Sequence, residues 1–90
     1  MDKRLKLKIT GRVQGVFFRQ GVKRIADELG LTGWVRNEEN GSVRMVAEGE
    51  EEKLQKLVEW CKKGTKYARV DNVEVEWGEA RREFEKFRIE

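Results

Sequence analysis

Histidine and proline are both absent from these 90 residues, and cysteine occurs once, at Cys61. Without imidazole there is no histidine general base, no Ser-His or Cys-His nucleophile pair, and no zinc site that needs a histidine ligand. A lone cysteine excludes an internal disulfide framework and fits a reducing compartment. No stretch approaches the ~20 apolar residues of a membrane-spanning helix. The opening Met1-Asp2-Lys3-Arg4 leads straight into an alternating pattern, so no signal peptide is read. These absences predict a cytoplasmic, soluble protein with no membrane partner. The length suits one domain, residues 1–90, around one core.

What is present in quantity is charge. Asp, Glu, Lys and Arg make up 41% of the chain, with 20 Lys+Arg against 17 Asp+Glu and a net charge of +3. The two signs are interspersed, which suits local recruitment of a small anion and argues against a nucleic-acid partner. Dense Lys and Glu with little Cys or Met also matches the composition of heat-stable proteins.

Hydrophobic periodicity divides the chain cleanly. "RLKLKIT" (4–10) alternates Leu5, Leu7 and Ile9 against Lys6, Lys8 and Thr10, a half-buried strand. Phe18, Val22, Ile25, Ala26 and Leu29 recur at helical spacing, with Gly30 in the left-handed cap position where a helix stops. "LTGWVRN" (31–37) and "SVRMVAEG" (42–49) read as strands joined by a turn carrying Asn40-Gly41. Residues 50–64 form a second helix with Leu54, Leu57, Val58 and Cys61 on its stripe, acids in its first turn and Lys62-Lys63-Gly64 at its end. Val73, Val75 and Trp77 alternate with Glu74 and Glu76, and Phe87 and Ile89 suggest a short final strand. The order β-α-β-β-α-β predicts an α+β, ferredoxin-like sandwich, two helices on one face of a four-stranded antiparallel sheet.

That topology sets the first two strands parallel with the third between them. The loop Gln14–Phe18 after the first strand and Asn37 at the end of the second should therefore meet at one edge of the sheet. Gly15 lets the backbone turn so that successive N–H groups point inward, and the loop runs into a helix N-terminus. Arg19 adds a planar fork able to bind two phosphoryl oxygens. Asn37 offers both a donor and an acceptor, as orienting a water requires.

"GRVQGVFFRQGV", "GLTGWVRNEENGSVRMVAEG" and "ARVDNVEVEW" together resemble the acylphosphatase family over essentially the whole chain. The resemblance implies hydrolysis of acyl phosphates with no metal and no cofactor. The phosphoryl group would be held by Arg19 and by loop amides across Gly15, Val16, Phe17, Phe18 and Arg19, with Asn37 positioning the water. It further implies a small-molecule acyl phosphate substrate, inhibition by inorganic phosphate or sulfate, and a monomer. One departure is Gly64-Thr65-Lys66 where a Gly-Pro is expected, a turn read as lying far from the site.

The chemistry suits so sparse a set of groups. The carboxylate leaving group has a conjugate-acid pKa of ~4 and departs without protonation. In a loose phosphoryl-transfer transition state, catalysis is mostly positioning and charge stabilisation.

Other readings weigh less. Phe17, Phe18, Trp34, Trp60 and Trp77 suit core or rim packing better than a base-stacking platform, and "SVRMVAE" lacks the aromatics of an RNA-recognition sheet. A regulatory anion-binding module, or a carbamoyl-phosphate-handling part of a larger enzyme, is the alternative. The sequence runs to Glu90 with no linker or metal motif after it, which favours the free-standing enzyme as the expectation.

Overall fold

The computed structural model describes all residues, 1–90. Its elements run β1 (Asp2–Arg12), α1 (Phe18–Glu28), β2 (Thr32–Asn37), β3 (Val43–Glu50), α2 (Glu51–Lys63), β4 (Arg69–Glu79) and β5 (Phe87–Ile89). The strands form one sheet in the order β4-β1-β3-β2-β5. β3 is antiparallel to both β1 and β2, so β1 and β2 are parallel with β3 between them. The expected α+β sandwich is present, with one correction to its sheet. There are five strands, and β5 pairs with β2 in parallel, Gly33 opposite Phe87 and Val35 opposite Ile89. Three residues of alternation carry no register or direction, which is why this pairing was invisible in the sequence.

The alternating residues of β1 and β3 and the stripes of both helices meet in one core of 18 buried residues, including Leu5, Ile9, Phe18, Val22, Met45, Leu57 and Cys61. Burial pushes the Cys61 thiol pKa up, so the sulfur stays protonated and behaves as a small apolar group. The helices approach closely where α1 presents Gly21. A Cβ there would lie 2.4 Å from the Trp60 ring, which in turn tilts against Phe18 at 5.4 Å between centroids. α1 stops in a Schellman motif: the Gly30 N–H donates to the Asp27 carbonyl and the Leu31 N–H to that of Ala26, with Gly30 at φ 69. No helix is long and apolar enough to cross a membrane.

Alternation identified the faces of β4 but not its exposure. Val75 (38%) and Trp77 (44%) are open, because β4 is an edge strand. From that edge, residues 80–86 lead to β5 at the opposite edge. This strap is clasped by buried charge. The Arg4 guanidinium donates to Glu48 at 2.8 Å and to Glu83 at 2.7 Å, and Glu48 also accepts the backbone N–H groups of Arg81 and Arg82, each at 2.9 Å. Burial alone would raise the Glu48 pKa; the two amides and Arg4 outweigh it and hold the carboxyl below its ordinary value. Arg82 takes a left-handed backbone, φ 54, to present its N–H.

Candidate active site

At the C-terminal ends of β1 and β2 lies a cleft of about 170 Å³ lined by Val13, Gly15, Phe17, Phe18, Arg19, Gln20 and Asn37. Sheet register explains the convergence. Asn37 is opposite Val43, and Val43 is opposite Ile9, so Asn37 stands two strands across from the segment that becomes the loop. At a strand spacing of ~4.8 Å that separation is ~10 Å, which the turn from Val13 to Arg19 closes.

The loop backbone alternates in hand. Gly15 has φ +74 and Phe17 φ 64, while Val16 between them keeps a negative φ. Alternation between right- and left-handed backbone can turn consecutive N–H groups toward one point, the geometry of an anion-binding concavity. A Cβ on Gly15 would meet nothing within 4 Å, so the glycine serves its left-handed backbone and not a close approach. Phe17 is the N-cap of α1, with no side-chain cap and no acid in the first turn. The first intrahelical bond is Gly21 N–H to the Phe17 carbonyl, so the N–H groups of Phe18, Arg19 and Gln20 have no backbone acceptor. α2 differs, since Glu51 and Glu52 occupy its first turn.

Two side chains in the cleft are also unsatisfied. Arg4, Arg19 and Arg36 are the arginines that are not fully exposed; Arg4 and Arg36 have carboxylate partners and Arg19 has none. The Asn37 Oδ1 is buried without a hydrogen-bond partner. A half-buried free guanidinium, a buried free acceptor and an uncapped helix N-terminus thus share one small cleft, a combination suited to a tetrahedral oxyanion and a water.

Val16 differs from the other expected loop residues. Its side chain is buried in the core, and it is not among the residues that line the cleft. The turn at Gly64-Thr65-Lys66, expected to lie far from the site, does not. The Thr65 Oγ1 donates to the Val16 carbonyl at 2.7 Å, and a Cβ on Gly64 would lie 2.9 Å from the Phe18 ring. On the other flank the Gln14 Nε2 donates to the carbonyls of Glu38 and Ser42, at 2.8 and 2.9 Å. The loop is therefore tied to the β2–β3 hairpin on one side and to the α2–β4 turn on the other. Sequence reasoning passed over both ties. A hydroxyl where a proline was expected, and a glutamine inside an otherwise apolar turn, were the available signals.

Residues 5–89 match the acylphosphatase family along this same span of fold and cleft. The chain belongs to the acylphosphatase family. It is 50% identical to an acylphosphatase of Salinibacter ruber over 98% of this chain and 93% of that one. It is 51% identical to one from Pyrobaculum islandicum over 96% and 92%. The crystal structure of acylphosphatase from Bacillus subtilis superposes with a TM-score of 0.94 at 36% identity, covering 98% of each chain. As an acylphosphatase, the chain hydrolyses the carboxyl-phosphate bond of acyl phosphates. These relatives do not favour the accessory-module alternative.

Proposed function

We propose that the cleft is the acylphosphatase active site, with Arg19 and the amides from Gly15 to Arg19 holding the phosphoryl group and Asn37 orienting the attacking water. The observation that carries this reading is the pairing of a free, half-buried Arg19 with a buried, unpartnered Asn37 Oδ1 in one cleft. The water oxygen attacks phosphorus as the bond from phosphorus to the acyl oxygen breaks. The bonding pair leaves on the carboxylate, which at a pKa of ~4 needs no acid. No carboxylate lines the cleft, so the water's proton passes to a phosphoryl oxygen, giving carboxylate and inorganic phosphate. No group of three or more His, Cys, Asp or Glu side chains is placed to hold a metal ion. In this reading charge stabilisation falls to the guanidinium and to N–H groups already oriented before substrate arrives. Inorganic phosphate, the product, fits the same cradle and inhibits competitively, as does sulfate.

The same reading makes residues 1–90 one domain and a cytoplasmic monomer. It is supported by a lone, buried Cys61 and by exposed Asp71, Glu74, Glu76 and Glu79 along the β4 edge, which oppose strand-to-strand association.

Asn37→Ala and Asn37→Asp test the water-orienting role. Ala should lower kcat by about 10²-fold, the scale of losing one transition-state hydrogen bond, while phosphate inhibition stays within twofold. Asp supplies a base but sets a negative charge ~5 Å from the phosphoryl group, a repulsion of ~3 kcal/mol at an effective dielectric of about 20. It should be as inactive as Ala and bind phosphate less well. Wild-type turnover by Asn37→Asp would show that orientation by the amide is the wrong role.

A further inference from the structure

Beside the cleft the chain exposes two aromatic rings that core packing does not require there. Phe17 lines the cleft yet is 63% exposed, whereas Phe18, next along, is 1% exposed. Tyr67, 56% exposed, meets Phe17 with ring centroids 6.0 Å apart and planes inclined at 58°. Phe17 is held outward by its left-handed backbone, φ 64, a conformation that side chains other than Asn and Asp seldom adopt. Tyr67 lies in the tight turn closed by the Ala68 N–H donating to the Thr65 carbonyl at 3.1 Å. The Lys66 ammonium stands 5.2 Å from the centroid of the Tyr67 ring, a cation–π contact that steadies it.

Topology puts this aromatic pair on the side where the substrate must leave. The loop follows β1, which has β4 on one flank and β3 then β2 on the other. Asn37 ends β2, while Tyr67 precedes β4, whose Arg69 is opposite Arg12 at the end of β1. Asn37 and Tyr67 therefore face the loop from opposite sides. Phosphoryl transfer keeps the attacking and leaving oxygens roughly in line. With water on the Asn37 side, the acyl oxygen departs toward Phe17 and Tyr67.

We propose that Phe17 and Tyr67 form the acyl-group subsite, and that it selects acyl phosphates with a flat aromatic acyl group over acetyl phosphate. The inference rests on the roles given above to Arg19, the loop and Asn37. Two rings inclined at 58° make a wedge, and a planar group entering it meets both in the tilted or offset geometries that aromatic pairs prefer. An acetyl group offers no flat face to either ring.

The experiment compares kcat/KM for benzoyl phosphate and acetyl phosphate in the full chain, in Tyr67→Ala and in Tyr67→Phe, with inhibition by inorganic phosphate measured alongside. The benzoyl-to-acetyl ratio should fall about fivefold to tenfold in Tyr67→Ala, as expected for losing one aromatic contact. Tyr67→Phe should retain the ratio, and phosphate inhibition should stay within twofold in both. A ratio unmoved by Tyr67→Ala overturns the proposal. So does an equal loss on both substrates with weakened phosphate inhibition, because Tyr67 would then only prop the loop. Failure of the underlying site reading looks different: Arg19→Lys would leave phosphate inhibition intact whatever Tyr67 does.

Discussion

Two places in this chain assemble the same parts, a guanidinium and backbone N–H groups, and only one of them brings its own anion. At the strap, consecutive N–H groups of Arg81 and Arg82 and the guanidinium of Arg4 converge on the Glu48 carboxylate. At the cleft, the uncapped start of α1 lies beside Arg19, and no carboxylate is among the lining residues. Each place contains one of the two non-glycine residues with a left-handed backbone, Arg82 at φ 54 and Phe17 at φ 64. The geometry alone does not distinguish a rivet from a binding site. Whether the anion is covalently part of the chain does.

If this comparison is right, substitutions at the two places should have opposite signatures. Arg19→Lys keeps the charge but loses the two-pronged fork. It should lower kcat/KM by about 10³-fold, the upper range for removing a donor aimed at developing charge, with thermal unfolding unchanged. Near-normal turnover would reduce Arg19 to general electrostatics.

Glu48→Gln should do the reverse, leaving kcat per folded molecule unchanged at 25 °C and destabilising the fold by about 3 kcal/mol, as removing one member of a buried pair does. That corresponds to a Tm lower by about 15 °C in a chain of this size. The pH dependence carries a sign. A carboxyl held below its ordinary pKa stabilises the fold fully above ~4.3, and that contribution is lost as pH falls through the folded value. Acid unfolding of Glu48→Gln should accordingly be less steep than that of the wild type, as read by circular dichroism across that range.

Inorganic phosphate sharpens the contrast, since at the strap the Glu48 carboxylate already occupies the donors. At a hundredfold excess over Kd it should raise stability by about 2.7 kcal/mol, and the shift should vanish in Arg19→Lys but persist in Glu48→Gln. An unmoved Tm in tens of millimolar phosphate at constant ionic strength would show that the cradle is not an anion site.

The smallest effect should come from Thr65→Val, which removes the tie to the Val16 carbonyl without changing side-chain shape. A loss of about 1 kcal/mol in stability is expected for one neutral hydrogen bond. KM should rise severalfold while the kcat of the saturated enzyme is kept, because substrate can reorder a loop that Gln14 still holds from the other flank.

Much of this was legible in the sequence because it depends on local periodicity or on strand order. Phe18, Val22 and Ala26 sit at helical spacing, Gly30 stops the helix where a left-handed residue is needed, and Leu5, Leu7 and Ile9 alternate. Once β-α-β-β order was read, the meeting of Arg19 with Asn37 followed from element lengths. What was not legible depends on partners far along the chain. Thr65 reaches a carbonyl 49 positions away and Arg4 a carboxylate 79 away, and neither leaves a pattern in its own neighbourhood. Trp77 alternated correctly, but alternation names a face and says nothing of whether a helix covers it. β5 was too short to declare its direction.

The order of the strands also governs when the enzyme comes into being. The side chains lining the cleft all belong to positions 13–37. The groups that hold them arrive later: Ser42, Thr65, the β4 strand alongside β1, and the β5 strand alongside β2. On the proposed reading of the cleft, a growing chain of sixty residues would carry every reactive group but lack the segments that hold them. Pairings between distant segments close slowly, since loop entropy is lost before contacts are gained. On that reading, a chain still lacking β4 and β5 should have no activity, because the strands that flank β1 and β2 are missing.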